Sequence, residues 1–528
     1  MVSDRLLTPT KITAWLECGH YLSLRNQVDR GELSVSVPFG SFAQLVLDKG
    51  SAHEEACLAD YRSRGYSVFE VPGRLSGEPF GEWVERVGDP LADGHDVVSQ
   101  MPFVNDGIRG IADFLVRVDL PGGGFGYEPV DSKLARTDAK VGHVLQLCFY
   151  AEAVQALGWP APADVHLWLG SGNRVSFPTQ RVMPYWERLR GQLARLLDAD
   201  HDRATEPRRC SHCEFCEFAA HCEQQWRRED SLQLVAGFRV SDMEKFHDHG
   251  IDSVESLATA GERVPGVPSA RVKRLAAQAR LQVEARALGD DATPPFELIR
   301  PEEDPTWGHG LEQLPAPDAG DVFLDFEGHP MWRADTGLFF LFGFIAQDDS
   351  GGWNYSQMWA HDRTEEAERT RELVQLIANR RAAYPAMHVY HYNHTERSSL
   401  ERLTADHGVA EALLADLVES GCFVDLYPVV RNSVQAGVES YGLKHVERLA
   451  GFVRSDDIHG GSGAVVDYDA WTRDHDKDRL ERIAVYNEDD VRATKALRDW
   501  LVDQRGDGLL WRHAVLDVAE SPEGFDDT

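Results

Sequence analysis

The chain has 528 residues, enough for two or three domains each with a sizeable core, and its 42 % apolar and 27 % charged residues are those of an ordinary globular protein. No basic leader followed by an apolar run is visible, nor any apolar stretch of about eighteen residues, so no membrane span is expected and the expected location is cytoplasmic. The excess of 87 Asp+Glu over 54 Lys+Arg, a formal charge of −33, excludes a broadly cationic surface for gripping phosphate backbones. It does not exclude nucleic-acid chemistry, because cations held by clustered carboxylates create a local positive field that net charge does not report.

Thr8, Pro9 and Thr10 cap a first helix in which Ile12, Trp15 and Leu16 share a face, and a second helix is expected over roughly 41–65, carrying His53 and Glu54. Period-two runs at 67–72, 111–120 and 126–134 predict strands, the last two forming a hairpin about the Pro121–Phe125 turn with Asp113 and Asp131 on neighbouring strands. Residues 143–158 have helical periodicity and set Gln146 and Tyr150 one turn apart; a strand at 164–170 and a helix at 185–199 follow. Four of the eight cysteines, Cys210, Cys213, Cys216 and Cys222, then crowd into one short segment. Such crowding in a large chain suits metal ligation in a reducing compartment better than a disulfide framework, whereas Cys57, Cys148 and Cys422 sit singly in apolar surroundings.

From 229 to about 292 the pattern is helical, with glycine-containing turns near Gly250 and Gly261 that can be read as helix–hairpin–helix units or as a plain helical linker. Residues 295–320 are rich in Pro, Glu and Asp. A second α/β pattern opens at Asp321, with a hairpin over 337–360, a helix, a strand over 386–393, a strand over 422–427 and a terminal helix. The expected organisation is one domain over 1–228, a helical domain over 229–294, a linker over 295–317, a second α/β domain over 318–510 and a tail over 511–528.

Asp325 and Glu327 stand two apart in the apolar strand FLDFEG and leave the same face; two adjacent carboxylates on such a strand repel one another and lose solvation, and bound cations offset both costs. A second acidic run, Tyr486 to Asp490, enters the terminal helix, where Asp490 and Tyr486 are one turn apart. Alone, that run also fits an acidic helix N-terminus. Glu396 and Asp425 follow the two intervening strands. Hydrolysis of a phosphodiester with two metal ions needs acidic ligands from several segments and a group that orients water.

These motifs over roughly 318–505 resemble the predicted 3′–5′ exonuclease domain of the ribonuclease H-like superfamily. The resemblance implies two metal ions, Mg²⁺ or Mn²⁺, held by Asp325, Glu327, Asp490 and one further acid, with Tyr486 positioning water. The further acid is Glu396 by this resemblance, with Asp425 the alternative. Lys444 is a candidate phosphate contact.

In the first domain His53, Asp113, Asp131 and Lys133 form a second constellation, with Asp131 and Lys133 on one strand face, where Asp can bind metal while Lys supports the attacking water; Glu128, three residues before Asp131, faces away in a regular strand. The order KGSAHEE, GIADF, YEPVDSKLAR, QLCFY resembles the RecB-like, PD-(D/E)XK nucleases of the Cas4-like branch over roughly 5–228. It implies that His53, Asp113, Asp131 and Lys133 are the active set, flanked by Gln146 and Tyr150. It further implies a [4Fe–4S] cluster held by Cys18, Cys213, Cys216 and Cys222; structural zinc, with Cys210, His212 or His221 substituting, is the alternative.

The whole is thus expected to be a multi-domain α/β chain: a RecB-like core of restriction-endonuclease type, a helical linker and a ribonuclease H-like domain. The expected activity is metal-dependent exonucleolytic cleavage of single-stranded DNA or DNA ends, with RNA as a further substrate class. Longer relatives carry a helicase, but no G-x-x-x-x-G-K-[ST] occurs here, so unwinding would fall to a separate partner. The alternatives are a nucleic-acid end-binding protein with weakened sites and an adaptor for a helicase or a repair or defence complex.

Overall fold

The computed structural model describes residues 7–35, 40–137, 140–197, 205–261, 263–289, 291–299, 310–455, 461–506 and 508–512. Most of the expected 511–528 tail, and residues 300–309 of the expected linker, lie outside the described residues. The chain divides into two compact units, Met1–Glu223 with Met331–Gly337, and Gln224–Pro330 with Leu338–Thr528. No helix among the described residues is long and apolar enough to cross a membrane.

In the first unit, β1 (Val68–Glu70), β2 (Val97–Asn105), β3 (Ile108–Asp119), β4 (Phe125–Lys133), β5 (Asp164–Leu169) and β6 (Arg174–Pro178) form one sheet in chain order. β3 and β4 make the expected antiparallel hairpin, with Phe114 opposite Val130. β4 and β5 are parallel, and the helix Val141–Ala156 is the crossover that parallel pairing requires. Alternation divides the side chains. Phe114, Val130 and Trp168 pack with Cys57 and Tyr61 of the helix Ser41–Ser63, while Leu167 and Leu169 pack with Leu147 and Ala151 of the crossover helix. β2 escapes the period-two rule because Gln100, at φ 59°, breaks the alternation. The first helix, Pro9–Glu17, is capped by Thr8, whose hydroxyl accepts from Lys11 N at 3.2 Å. Its buried face is Ile12 and Ala14; Leu16 is 37 % exposed, so the expected face of Ile12, Trp15 and Leu16 is rotated.

In the second unit a short ribbon pairs β7 (Phe296–Leu298) with β13 (Val434–Ala436). The main sheet contains β8 (Val322–His329), β9 (Leu338–Gln347), β10 (Trp353–Trp359), β11 (Val389–His391) and β12 (Phe423–Asp425), in the order β10-β9-β8-β11-β12. β8 is central, antiparallel to β9 and parallel to β11. Its even residues Val322, Leu324 and Phe326 enter a core with Leu373, Val374 and Ile377 of the helix Arg363–Ala383. Its odd face carries Phe323, which packs in the core that holds Val491, Leu497 and Leu501 of the 27-residue helix Lys477–Asp503. That helix is pinned near its far end by buried Arg498, whose Nη1 donates to Asp321 Oδ2 at 2.6 Å and whose guanidinium lies 4.8 Å from the Phe323 ring centroid.

Gly343 stands opposite Asp325 in β9, between the core residues Phe342 and Phe344. A Cβ there would collide with Oδ1 of Asn487, so the absent side chain is what lets the long helix approach the sheet. Gly343→Ala is expected to destabilise the second unit by about 1–3 kcal/mol through overpacking, read as a lowered midpoint in thermal unfolding. An unchanged midpoint would show that the helix has room to spare.

Candidate active sites and cysteine cluster

Asp325, Glu327 and Asp490 come together: one carboxylate oxygen from each lies within 4.8 Å of the others, and among the described residues they are the one group of three or more Asp, Glu, His or Cys side chains so close. Their convergence follows from the two elements. Alternation sends Asp325 and Glu327 to the helix face of β8, and the helix Lys477–Asp503 returns Tyr486, Asn487 and Asp490 across that face. The acidic run does not start the helix, which begins at Lys477, so capping does not explain it. Asp489 turns elsewhere, accepting from Ser455 N at 2.8 Å.

Burial, then the charges of Asp490 and its other carboxylate neighbours, holds Asp325 and Glu327 well above the usual carboxylate range. Asp490 is also raised by burial, against the opposing pull of Arg454. Burial and the neighbouring acids raise the Tyr486 phenol, which hydrogen-bonds Asp490 and stays neutral. A cluster of protonated or mutually repelling acids, largely withdrawn from water, is the electrostatic state that cations relieve.

Pairing of β11 with β8 covers Val389–Val322 and Tyr390–Phe323 and goes no further. The chain then turns at Asn393, φ 77°, and starts the helix Thr395–His407, which carries Glu396. Glu396 is 4 % exposed, its Oε2 lies 3.3 Å from His391 Nδ1, and its charge is felt by both Asp325 and Glu327, although it is outside the tight group of three. Asp425 is engaged differently. Its Oδ1 accepts from Tyr427 N at 2.9 Å, capping the helix Leu426–Ser433, and from Asn393 N at 2.8 Å, holding the turn before Glu396.

Two neighbours escaped the sequence reading. Asn487 donates from Nδ2 to Asp325 Oδ2 at 2.8 Å and accepts from Tyr355 OH at 3.0 Å, fixing the orientation of the first acid. Arg454 donates from Nη2 to Asp490 Oδ1 at 2.6 Å and is paired to Glu447. Glycine within an apolar strand was the signal for Asn487; Arg454 had none. Lys444 Nζ lies 4.7 Å from the Tyr486 ring centroid, which places it beside the acids.

The first unit brings together Asp113, Asp131, Lys133, Gln146 and Tyr150. Lys133 Nζ lies 2.5 Å from Asp131 Oδ2, and Gln146 Nε2 donates to Asp131 Oδ1 and reaches Tyr150 OH, each at 3.1 Å. Asp113 Oδ2 accepts from Ser132 N and Oγ at 2.8 and 2.9 Å. Complete burial pushes Asp131 up to about 7, with Lys133 opposing. Glu128 faces away, as a regular strand requires, and bonds His166 Nε2 at 2.8 Å. His53 is buried, with Nε2 3.4 Å from the Trp168 carbonyl and 3.8 Å from Cys57 Sγ; it makes no tight group with Asp113 and Asp131 among the described residues. Its neighbour Glu54, read with it as part of the second candidate site, is pushed up to about 7 by burial and Asp113, and accepts from Gln100. The strained backbone of Gln100 thus aims an amide at a carboxylate beside the site.

The cysteines also gather. Cys210 and Cys213 sulfurs lie 3.9 Å apart, and Cys222, raised to about 12 by burial first, feels Cys216, Cys18, Cys213 and Cys210 in that order. Cys18 ends the first helix; three residues on, Tyr21 OH donates to Glu217 Oε1 at 2.8 Å and its ring meets Phe218 edge-on. The amino-terminal helices are therefore packed on the cysteine segment.

Comparison with known families agrees with both geometries. Residues 73–223 match the family model of the PD-(D/E)XK nuclease superfamily, a range that contains Asp113, Asp131, Lys133 and Gln146 and begins after His53 and Cys18. Residues 322–502 match that of the RNase_H superfamily, from Asp325 through Asp490. A search of curated proteins found no match. The chain is a multi-domain α/β protein that joins a PD-(D/E)XK nuclease superfamily domain to a carboxy-terminal RNase_H superfamily domain.

Proposed function

We propose that the chain is a divalent-metal-dependent nuclease whose principal centre is formed by Asp325, Glu327, Glu396 and Asp490, and that it degrades single-stranded DNA or DNA ends from a terminus. The observation that carries this reading is the partly buried convergence of Asp325, Glu327 and Asp490. The donor set fits Mg²⁺ or Mn²⁺, hard cations that prefer carboxylate oxygen, and a divalent ion bound there supplies Lewis-acid activation of water and neutralises phosphate charge. Asn487 fixes Asp325, Tyr486 orients the water through its hydroxyl, and Glu396 completes the acidic set from the first turn of the helix Thr395–His407. Asp425 serves this centre by holding the Asn393 turn.

The Asp113, Asp131 and Lys133 set is read as a second hydrolytic centre, with Lys133 supporting water or developing negative charge and Gln146 orienting Asp131. Glu54, whose carboxyl feels Asp113 and Lys133, is a further acid for this centre beside His53. Cys18, Cys213, Cys216 and Cys222 fit a [4Fe–4S] cluster. The burial of Cys222 beside Cys216, Cys18 and Cys213 supports a shared centre, which would tie the first helix to the segment leaving the domain.

End-labelled single-stranded DNA with Mn²⁺ tests the assignment. Asp325→Ala is expected to lower cleavage by at least about 100-fold, and Lys133→Ala to leave terminal trimming in place. Full trimming by Asp325→Ala, with loss in Lys133→Ala, would transfer catalysis to the first unit.

Because Asp325, Glu327, Glu396 and Asp490 are all raised, the cation-free centre retains protons that must leave when the ionised carboxylates take up metal. Mn²⁺ affinity is therefore expected to go on rising with pH above the usual carboxylate range, and calorimetry in buffers of different ionisation heat to detect proton release. A pH-independent affinity without proton release would contradict a buried acidic centre.

Protein purified without oxygen is expected to be brown, with absorbance at about 400 nm that Cys18→Ser removes and Cys210→Ser leaves. Colourless protein with stoichiometric zinc would replace the cluster assignment.

A further inference from the structure

Arg454 is a functional group at the principal centre that the acidic chemistry does not use. Its side chain is 15 % exposed, and its partner Glu447 is 5 % exposed. Glu447 takes the Nε edge of the guanidinium, with Nε to Oε1 at 2.8 Å and Nη2 to Oε2 at 2.7 Å. The second hydrogen of Nη2 goes to Asp490 Oδ1 at 2.6 Å. Nη1 is buried and has no hydrogen-bond partner among the described residues.

The planarity of the group decides where that unused donor points. In a guanidinium the two terminal nitrogens carry a pair of parallel N–H bonds on the edge remote from Nε. One member of that pair reaches Asp490, so the other, on Nη1, points to the same side, toward the carboxylates. A buried charged donor left unsatisfied costs about 1–3 kcal/mol or more, which an arriving acceptor would recover. What arrives at this side must be an anion able to accept beside Asp490. Among the groups a nuclease handles, that is a phosphate oxygen.

Resting on the reading of this centre as a metal-dependent nuclease, we propose that Arg454 is a catalytic residue that binds a non-bridging oxygen of the scissile phosphodiester through Nη1, with Glu447 as its buried anchor. Its charge offsets part of the acidity of the centre. Lys444, 4.7 Å from the Tyr486 ring centroid, adds a second cation on the same side of the helix. Glu447 confers the specificity of the arrangement: by occupying one edge of the fork it directs the other toward substrate, which a lysine could not reproduce.

The test uses the full chain, wild type and the variants Arg454→Gln and Arg454→Lys, with three measurements. These are Mn²⁺ binding to nucleic-acid-free protein by electron paramagnetic resonance, affinity for a phosphorothioate-ended single strand in Ca²⁺ over a range of salt, and turnover in Mn²⁺. In Arg454→Gln, turnover is expected to fall about 10²–10³-fold, as on removal of one donor to a developing charge. The slope of log affinity against log salt is expected to drop by about 0.7, the loss of one phosphate contact on a single strand. Mn²⁺ binding should be unchanged or tighter, since a competing cation leaves Asp490. Arg454→Lys should restore the salt slope but little of the turnover. Turnover and salt slope both within about twofold of wild type, or Mn²⁺ binding lost in parallel with turnover, would overturn the proposal; the second result would make Arg454 a structural clamp. A wild type that binds no Mn²⁺ sinks the nuclease reading itself, and strand binding in Ca²⁺ separates that failure from failure of the arginine.

Discussion

Three carboxylates forced into one small volume inside a folded unit are the constraint around which the second unit is organised. Like charges at such separations cannot all ionise in a protein interior, and the structure contains three partial answers. Some protons stay on, as the lowered acidities of Asp325 and Glu327 indicate. One guanidinium intrudes, that of Arg454. One neutral amide, Asn487, donates to Asp325. Each answer is incomplete, so the free energy remains available to a cation of higher charge. The remaining features of the unit secure this congestion. Gly343 permits the approach of the helix, and the turn held by Asp425 brings up Glu396.

The sheet explains why the acids meet at that spot. β8 and β11 run parallel but stop pairing after Phe323, so the carboxyl end of β8 is bordered on one side by a turn and not by a strand. In open α/β sheets this region outside the strand ends is where ligands bind, because backbone groups no longer bond one another there and loops can bring side chains in. The same principle operates in the first unit, where β3 and β4 cease to pair beyond Phe114 and Val130 and the freed backbone of Ser132 bonds the Asp113 carboxylate. Two unrelated sheets thus use diverging strands to create room for acidic groups.

Much of this was legible in the amino-acid order. Period-two runs give β3, β4, β5 and β8, and the one-turn offset of Tyr486 and Asp490 gives their shared face. What alternation and helical spacing do not encode is which polar groups tertiary packing adds. Asn487 sits one residue from Tyr486 and would be assigned to another face by a coarse helical wheel, yet the glycine opposite Asp325 admits it. Arg454 comes from an irregular segment, where periodicity carries no information. His53 and Glu54 show how neighbours divide: the imidazole lies beside Trp168 and Cys57, while the Glu54 carboxyl feels Asp113 and Lys133. β2 escaped because one strained residue breaks the rhythm that marks a strand.

The buried pair of Arg498 with Asp321 sets the longitudinal position of the terminal helix on β8. Successive residues on a helix are separated by about 100° of rotation and 1.5 Å of rise, against about 3.3 Å along a strand. Slippage of that helix by a single residue would carry Asp490 around its axis and out of the carboxylate group while leaving the apolar core largely filled. The ion pair therefore acts as an indexing pin, and chemistry at the far end depends on an alignment that secondary structure content does not reveal. A molecule with the pin loosened would keep its helical signal and its compactness after its acids had parted.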